Sequence, residues 1–284
     1  MSRRILISLA TALALAAATG SCTSIGVSPA QGESASSSEM AALLEYLRVH
    51  DTTGIIVVSN GEVLIDEAWP APGDQPIFAN FLYGHTDDGV LLEDVASQQK
   101  RFVAVLVAIA IDRGLLEADR PVSHYLGDGW SRASPLQEAQ IRVVDVLTMS
   151  SGLNEQFEYV APPGTTFFYN TPVYAITQRI VEIAAAAPLE EITHDWLTAP
   201  TGMADTAWRR RPAALRAVGN DRALVTTPHD IARFGLMILH RGMSPDGVRI
   251  VSAEQLDALF TPSAANPAYG RLWWLNGGIY SVRV

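Results

Sequence analysis

Ten consecutive residues, Phe102 to Ile111, are apolar without exception. A helix with no polar face cannot meet solvent on any side, so this run must pass through the middle of a fold. It is preceded by Ser97-Gln98-Gln99-Lys100 and followed by Gly114, a residue suited to the left-handed turn past a helix C-terminus. Residues at i and i+3 share one helix face, so the Ser97 hydroxyl and the Lys100 amine can meet. A serine at a helix N-terminus lies beside unpaired N–H groups and the positive end of the dipole, which favour an alkoxide and the oxyanion it creates. A lysine at the mouth of an apolar helix loses water, which disfavours its charged form and lets it act as a base. As a bare letter pattern S-x-x-K is common; the buried helix behind it is what gives it weight.

Composition adds to this. Lys100 is the only lysine among 20 basic residues; all the others are arginine. Arginine does not release its proton in a protein, whereas a desolvated lysine can, so the one lysine marks a place that needs an amine. The 284 residues are 48% hydrophobic and 18% charged, enough for a sizeable core in one large domain or two lobes. A formal charge of −10 argues against a nucleic-acid partner. The single cysteine permits no intramolecular disulfide and no cysteine-based metal site, and the six histidines show no H-x-x-x-H or H-E-x-x-H spacing. No metal or cofactor is expected.

Residues 1–21 read as an export signal: Arg3 and Arg4 form a positive start, and Ile5 to Ala18 is apolar but for Ser8 and Thr11. Thr19-Gly20-Ser21-Cys22 resembles a bacterial lipobox, with Thr19 where leucine is usual and the sole cysteine at the acceptor position. Cys22 is therefore the expected lipidation site, with residues 22–38, rich in Ser, Gly and Ala, as a tether. The expected location is periplasmic or extracytoplasmic, anchored to a membrane. The pair Arg3-Arg4 leaves a twin-arginine route open beside the general one.

The domain then spans 39–284. Met40 to Val49 reads as an amphipathic helix. Gly54–Val58 and Val63–Ala68 are apolar runs separated by Ser59-Asn60-Gly61, a strong hairpin signal. Val143–Met149, Tyr174–Ala187 and Pro228–His240 read as helices, the last with Thr227 as N-cap. Tyr269 to Leu275 reads as a strand, with one of Trp273 and Trp274 toward the core and the other toward a cleft or solvent. Arg209-Arg210-Arg211 reads as a solvated loop, with anionic lipid as the other possible contact. A hairpin, a helical middle and a late strand give an α+β chain whose antiparallel sheet joins both chain ends beside a helical lobe.

Several segments in order, EDVASQQK (93–100), GLLEADRPVSHYL (114–126), VLTMSSGL (146–153), PGTTFFYNTPVY (163–174), TTPHDIARFGLMIL (226–239) and YGRLWWLN (269–276), resemble the serine β-lactamase and penicillin-binding-protein family. The branch is that of class C β-lactamases, esterases and 6-aminohexanoate-dimer hydrolases, and the resemblance covers about residues 40–276. It implies a β-lactamase/transpeptidase-like fold and a hydrolase that forms an acyl-serine on a small ester or amide substrate. Ser97 would be the nucleophile, Lys100 its general base or the tuner of one, and Tyr169 the second acid/base. Asn170 and Thr171 would be substrate-binding positions. The family's Tyr-x-Asn is altered here, with Thr171 in the place of its asparagine and Asn170 one place early, which favours esters or other amides over antibiotic rings. A Lys-Thr-Gly third motif cannot occur in a chain with one lysine, and His240-Arg241-Gly242 matches His-x-Gly only in letters. By resemblance, C-terminal strands are missing. The competing expectation is a non-catalytic or vestigial penicillin-binding-like protein.

Overall fold

The computed structural model describes residues 37–275 in full and the backbone of residues 4–8. Cys22, the rest of the expected tether up to residue 36 and most of the expected export signal lie outside the described residues; the tether's last two residues, Ser37 and Ser38, open a helix. Contacts divide the chain into residues 1–75 and residues 76–284.

The first unit is built on the expected hairpin. Strands β1 (Arg4–Ser8), β2 (Gly54–Ser59) and β3 (Glu62–Ala68) form an antiparallel sheet in that order. The two-residue loop Asn60-Gly61 has φ of 55° and 84°, the doubly left-handed turn that asparagine and glycine tolerate and that matches strand twist. Helix α1 (Ser37–Val49) lays Met40, Leu43, Leu44 and Leu47 on Ile55, Val57 and Ile65. The i, i+3, i+4, i+7 spacing of those four residues places them in one stripe. β1 falls within the segment read as an export signal.

The second unit has the all-apolar helix at its centre. Helix α2 (Gln99–Asp112) buries every residue from Phe102 to Ala110. Gly114 follows its C-cap with φ 69°. Around it run α3 (Val143–Leu147), α4 (Thr171–Ala185), α5 (Pro228–Leu239) and α6 (Ala253–Leu259). Thr227 caps α5, accepting from Asp230 N at 3.3 Å. Phe102 of α2 stacks on Phe234 of α5 at 4.0 Å between ring centres.

A second antiparallel sheet, absent from the sequence reading, joins β4 (Leu82–His85), β5 (Leu91–Asp94), β6 (Ala207–Arg210) and β7 (Arg222–Thr226) in the order β4-β5-β7-β6. These strands are four or five residues long, too short for a period-two pattern to stand out.

Two expectations are corrected. Tyr269–Leu275 is not a strand: Leu272 adopts φ 61°, Gly270 N bonds Trp273 O at 2.8 Å, and the chain folds back with only a bridge between Tyr269 and Trp274. Neither sheet therefore receives a late strand among the described residues; the sheet of the first unit holds residues 4–68 alone. The division of the two tryptophans survives without the strand. Trp273 is half-buried against Phe234 and Phe260, while Trp274 is exposed. The second correction concerns Arg211. Arg209 and Arg210 are exposed, but Arg211 is only 6% exposed and paired inside the protein.

Candidate active site

β5 delivers the chain to Ser97. After Asp94, a 3₁₀ turn (Ala96–Gln98) carries Ser97 and runs directly into α2. Ala96 has φ 46°, an uncommon conformation for a residue with a side chain, next to the serine. It is held there because the Asp94 carboxylate accepts from Ala96 N at 2.8 Å. Asp94 is in turn gripped by Arg211 through two bonds, Nε to Oδ2 at 2.7 Å and Nη2 to Oδ1 at 2.9 Å. The forked, charge-assisted geometry fixes both partners. Gln99 completes the layer: its amide oxygen accepts from Arg211 at 2.9 Å and from Asn220 at 2.8 Å, and its nitrogen donates to Arg222 O at 3.1 Å.

On this base the expected pair forms. Ser97 is exposed and Lys100 beneath it is 2% exposed, with Nζ 3.1 Å from Ser97 Oγ. Burial pushes the Lys100 ammonium from its ordinary 10.5 down to about 8, and the positive Arg211 adds to the effect. Nζ also lies 3.4 Å from Thr171 Oγ1 and faces the rings of Tyr169 and Tyr174 at 4.8 and 4.7 Å.

Tyr169 reaches Ser97 with its phenol. Burial raises its pKa, while the hydrogen bond with Ser97 and the charge of Arg101 work against the rise. The loop that carries it is tied to the segment after α3: Phe168 N bonds Met149 O at 2.8 Å and Gly164 N bonds Ser150 O at 2.7 Å. The two motif segments 146–153 and 163–174 are thus one structural device that aims a tyrosine at a serine. Gly152 is part of it, since a Cβ there would fall 1.9 Å from Ala161 O.

The two expected substrate positions part company. Thr171 borders the cleft and touches Lys100. Asn170 is 2% exposed and both ends of its amide are occupied: Oδ1 caps α4 at Val173 N (3.1 Å) and Nδ2 donates to Leu153 O (3.0 Å). Its side chain holds the tyrosine loop.

The cleft has a volume of about 150 Å³ and is walled by Ser97, Lys100, Thr171, Arg211 and the apolar Phe81 and Leu215. A larger hollow of about 300 Å³, beside Arg142, Ser150 and Arg271, contains none of Ser97, Lys100 and Tyr169. Among the described residues no three His, Cys, Asp or Glu side chains gather as a metal site. His240-Arg241-Gly242 closes α5 far from any nucleophile role: His240 is the C-cap, and a Cβ on Gly242 would meet Val251 O at 2.0 Å.

An exposed serine at a helix start, a desolvated lysine one turn on and a tyrosine over both form an arrangement chemically able to carry out acyl transfer. The chain belongs to the beta-lactamase family, whose sequence pattern matches residues 52–280. It is 27% identical over 204 residues to penicillin-binding protein 4 of Amycolatopsis lactamdurans, covering 55% of this chain and 53% of that protein. The match thus spans about half the length of that curated relative. In structure it resembles a presumed beta-lactamase of Bacteroides dorei (TM-score 0.65, 21% identity, 83% of this chain and 78% of that one). It also resembles an octameric penicillin-binding protein homologue of Pyrococcus abyssi (TM-score 0.59, 18% identity, 82% and 63%). At these identities the two structures speak for the fold, which is the expected β-lactamase/transpeptidase-like α+β arrangement.

Proposed function

We propose that the protein is an exported serine hydrolase that acts through an acyl-serine on a small ester or amide. The observation that carries this is the 3.1 Å approach of Lys100 Nζ to Ser97 Oγ with the amine buried. Once neutral, the amine takes the Ser97 proton across that distance while Oγ attacks the substrate carbonyl. The tetrahedral oxyanion forms beside the backbone N–H of Ser97, the one donor the sequence assigns to it. The proton then passes through the Tyr169 phenol to the leaving group, and water releases the acyl group by the reverse relay. Thr171 in place of an amide favours simple esters and amides over antibiotic rings.

A fluorophosphonate or β-lactam probe should label Ser97, and Ser97→Ala should abolish labelling. Release of p-nitrophenol from an ester separates an enzyme from a binding protein: a stable adduct without turnover supports the non-catalytic alternative. Absence of labelling at Ser97 would sink the proposal.

Export and lipid attachment at Cys22 belong to the same reading and rest on the basic start, the apolar run and the sole cysteine. On this reading β1 is a feature of the precursor. Among the described residues no helix is long and apolar enough to cross a membrane. Expressed in a bacterium, the protein should partition with membranes and Cys22→Ser should release it or leave a precursor. A soluble product with unmodified Cys22 would refute the anchor.

A further inference from the structure

The hollow of about 300 Å³ that holds none of the reacting residues is lined by two arginines, Arg142 and Arg271, and one acid, Asp145. Arg142 is matched. Its Nε and Nη2 bond the two oxygens of Asp145 at 3.2 and 3.1 Å, and its Nη1 bonds Asp119 at 3.0 Å. Asp145 is buried and also accepts from Arg142 N at 2.9 Å, so its carboxylate is committed to Arg142. Arg271 is different. It is half-buried, and burial disfavours its charge. Among the described residues no ion pair engages its guanidinium. Asp119 acts on it only from beyond ion-pair distance, and with 83% of its side chain exposed that carboxylate is screened by solvent.

Arg271 stands on a pinned backbone. Its own N–H bonds Leu259 O at 3.0 Å, where α6 ends, and the N–H of Leu272 bonds Leu147 O at 2.8 Å, where α3 ends. Gly270 before it packs so closely that a Cβ would fall 2.2 Å from Leu259 O. A donor fork on a fixed backbone loses little freedom when it takes a ligand. The hollow's other walls are short and apolar at Val144, Ala258 and Pro262, which leaves space beside the guanidinium. The lining hydroxyl of Thr148 is already spent on Val144 O at 2.8 Å, so the arginine is the group left to meet an anion.

We propose that this hollow is a binding site for a small carboxylate with an apolar body, held by the Arg271 guanidinium in two bonds. Two arginines against one aspartate leave the lining a single positive charge, which suits one carboxylate, and the apolar walls suit a hydrocarbon body. The site is separate from the Ser97 cleft and does not rest on the hydrolase reading.

Benzoate is the probe and benzamide its neutral counterpart, each titrated calorimetrically into the full chain. Benzoate should bind about tenfold more tightly, as expected of one charge-assisted pair. Arg271→Met should bring the ratio near one, and Arg271→Lys, which keeps the charge and loses the fork, should leave it intermediate. Melting curves confirm that both variants fold. A second measurement needs no substitution. Phenylglyoxal should modify Arg271 in the free protein, and benzoate but not benzamide should slow that modification, read by peptide mass mapping. Benzoate binding unmoved by Arg271→Met, or modification of Arg271 unmoved by benzoate, overturns the proposal. Inorganic phosphate that protects Arg271 at lower concentration than benzoate would overturn the choice of a carboxylate with an apolar body.

Discussion

Replacing Lys100 with methionine sets the site against the fold. The folded protein holds the lysine pKa at about 8 against an ordinary 10.5, because burial penalises the ammonium. At 1.36 kcal/mol for each pH unit, this costs the folded state about 3 kcal/mol wherever the lysine is charged. Methionine is unbranched, of similar length and carries no charge, so Lys100→Met removes the cost. Lost with it are weak bonds to Ser97 (3.1 Å) and Thr171 (3.4 Å), whose hydroxyls border the cleft, and the contacts with the rings of Tyr169 and Tyr174. These return about 2 kcal/mol together. The variant should therefore be more stable by about 1 kcal/mol at pH 7, a rise in Tm of about 2–4 °C for a domain of this size. Hydrolysis should fall by about 10²-fold or more. The pH dependence is the sharper signature. Between pH 8 and 10.5 the unfolded lysine still holds its proton while the folded one has released it. The native protein thus gains stability as pH rises through that window, and the cost is fully present below it. The advantage of Lys100→Met should shrink from pH 8 upward and reverse near pH 9. Urea melts from pH 6 to 10.5 read this directly. An advantage that stayed flat with pH, or a variant destabilised at pH 7, would show that Lys100 is not desolvated and would remove the basis for its role as a base.

Three further outcomes follow from the layer beneath the site. Arg211→Met should cost about 3–5 kcal/mol in urea melts, because it strands the buried Asp94 carboxylate. It should also move the acid limb of kcat/KM to higher pH, since a positive neighbour that depresses Lys100 is gone; an unmoved limb would confine Arg211 to folding. Asn170→Ala should cost about 1–3 kcal/mol by uncapping α4 and leaving Leu153 O without its partner, and a loss of activity with full stability would return Asn170 to the substrate. Gly152→Ala should loosen the Tyr169 loop, read as faster amide hydrogen exchange at residues 160–169, because its Cβ would overlap Ala161 O.

What the sequence disclosed about this protein was whatever is written locally. The Phe102–Ala110 run, the Asn60-Gly61 turn, the Thr227 cap and the Ser97–Lys100 spacing each depend on residues within a few positions of one another. The pairing of Asp94 with Arg211 joins residues 117 apart, and a run of three arginines gives no sign of which one is buried. The same holds for β4 to β7, whose partners are distant and whose segments are short. Asn170 shows the converse limit. A residue named for its nearness to a motif turned out to have both amide ends committed to backbone groups, which only the packed loop reveals.

The concealed layer explains why the legible one works. Ser97 follows a residue with φ 46°, and such a conformation persists only where surrounding contacts over-determine it. Asp94 supplies that contact through Ala96 N, Arg211 fixes Asp94, and the same Arg211 charge helps to depress Lys100. One buried ion pair thus bears on both Ser97 and Lys100, orienting the serine through the backbone and adding to the burial that disfavours the lysine's charge. The two effects need different parts of Arg211: the first needs its fork, the second only its charge. Lysine at position 211 would keep the charge and lose the fork, so the base would stay tuned while the serine drifted. The chain's use of arginine at every lysine-or-arginine position but one is consistent with that division, with the single lysine at the buried position beside Ser97.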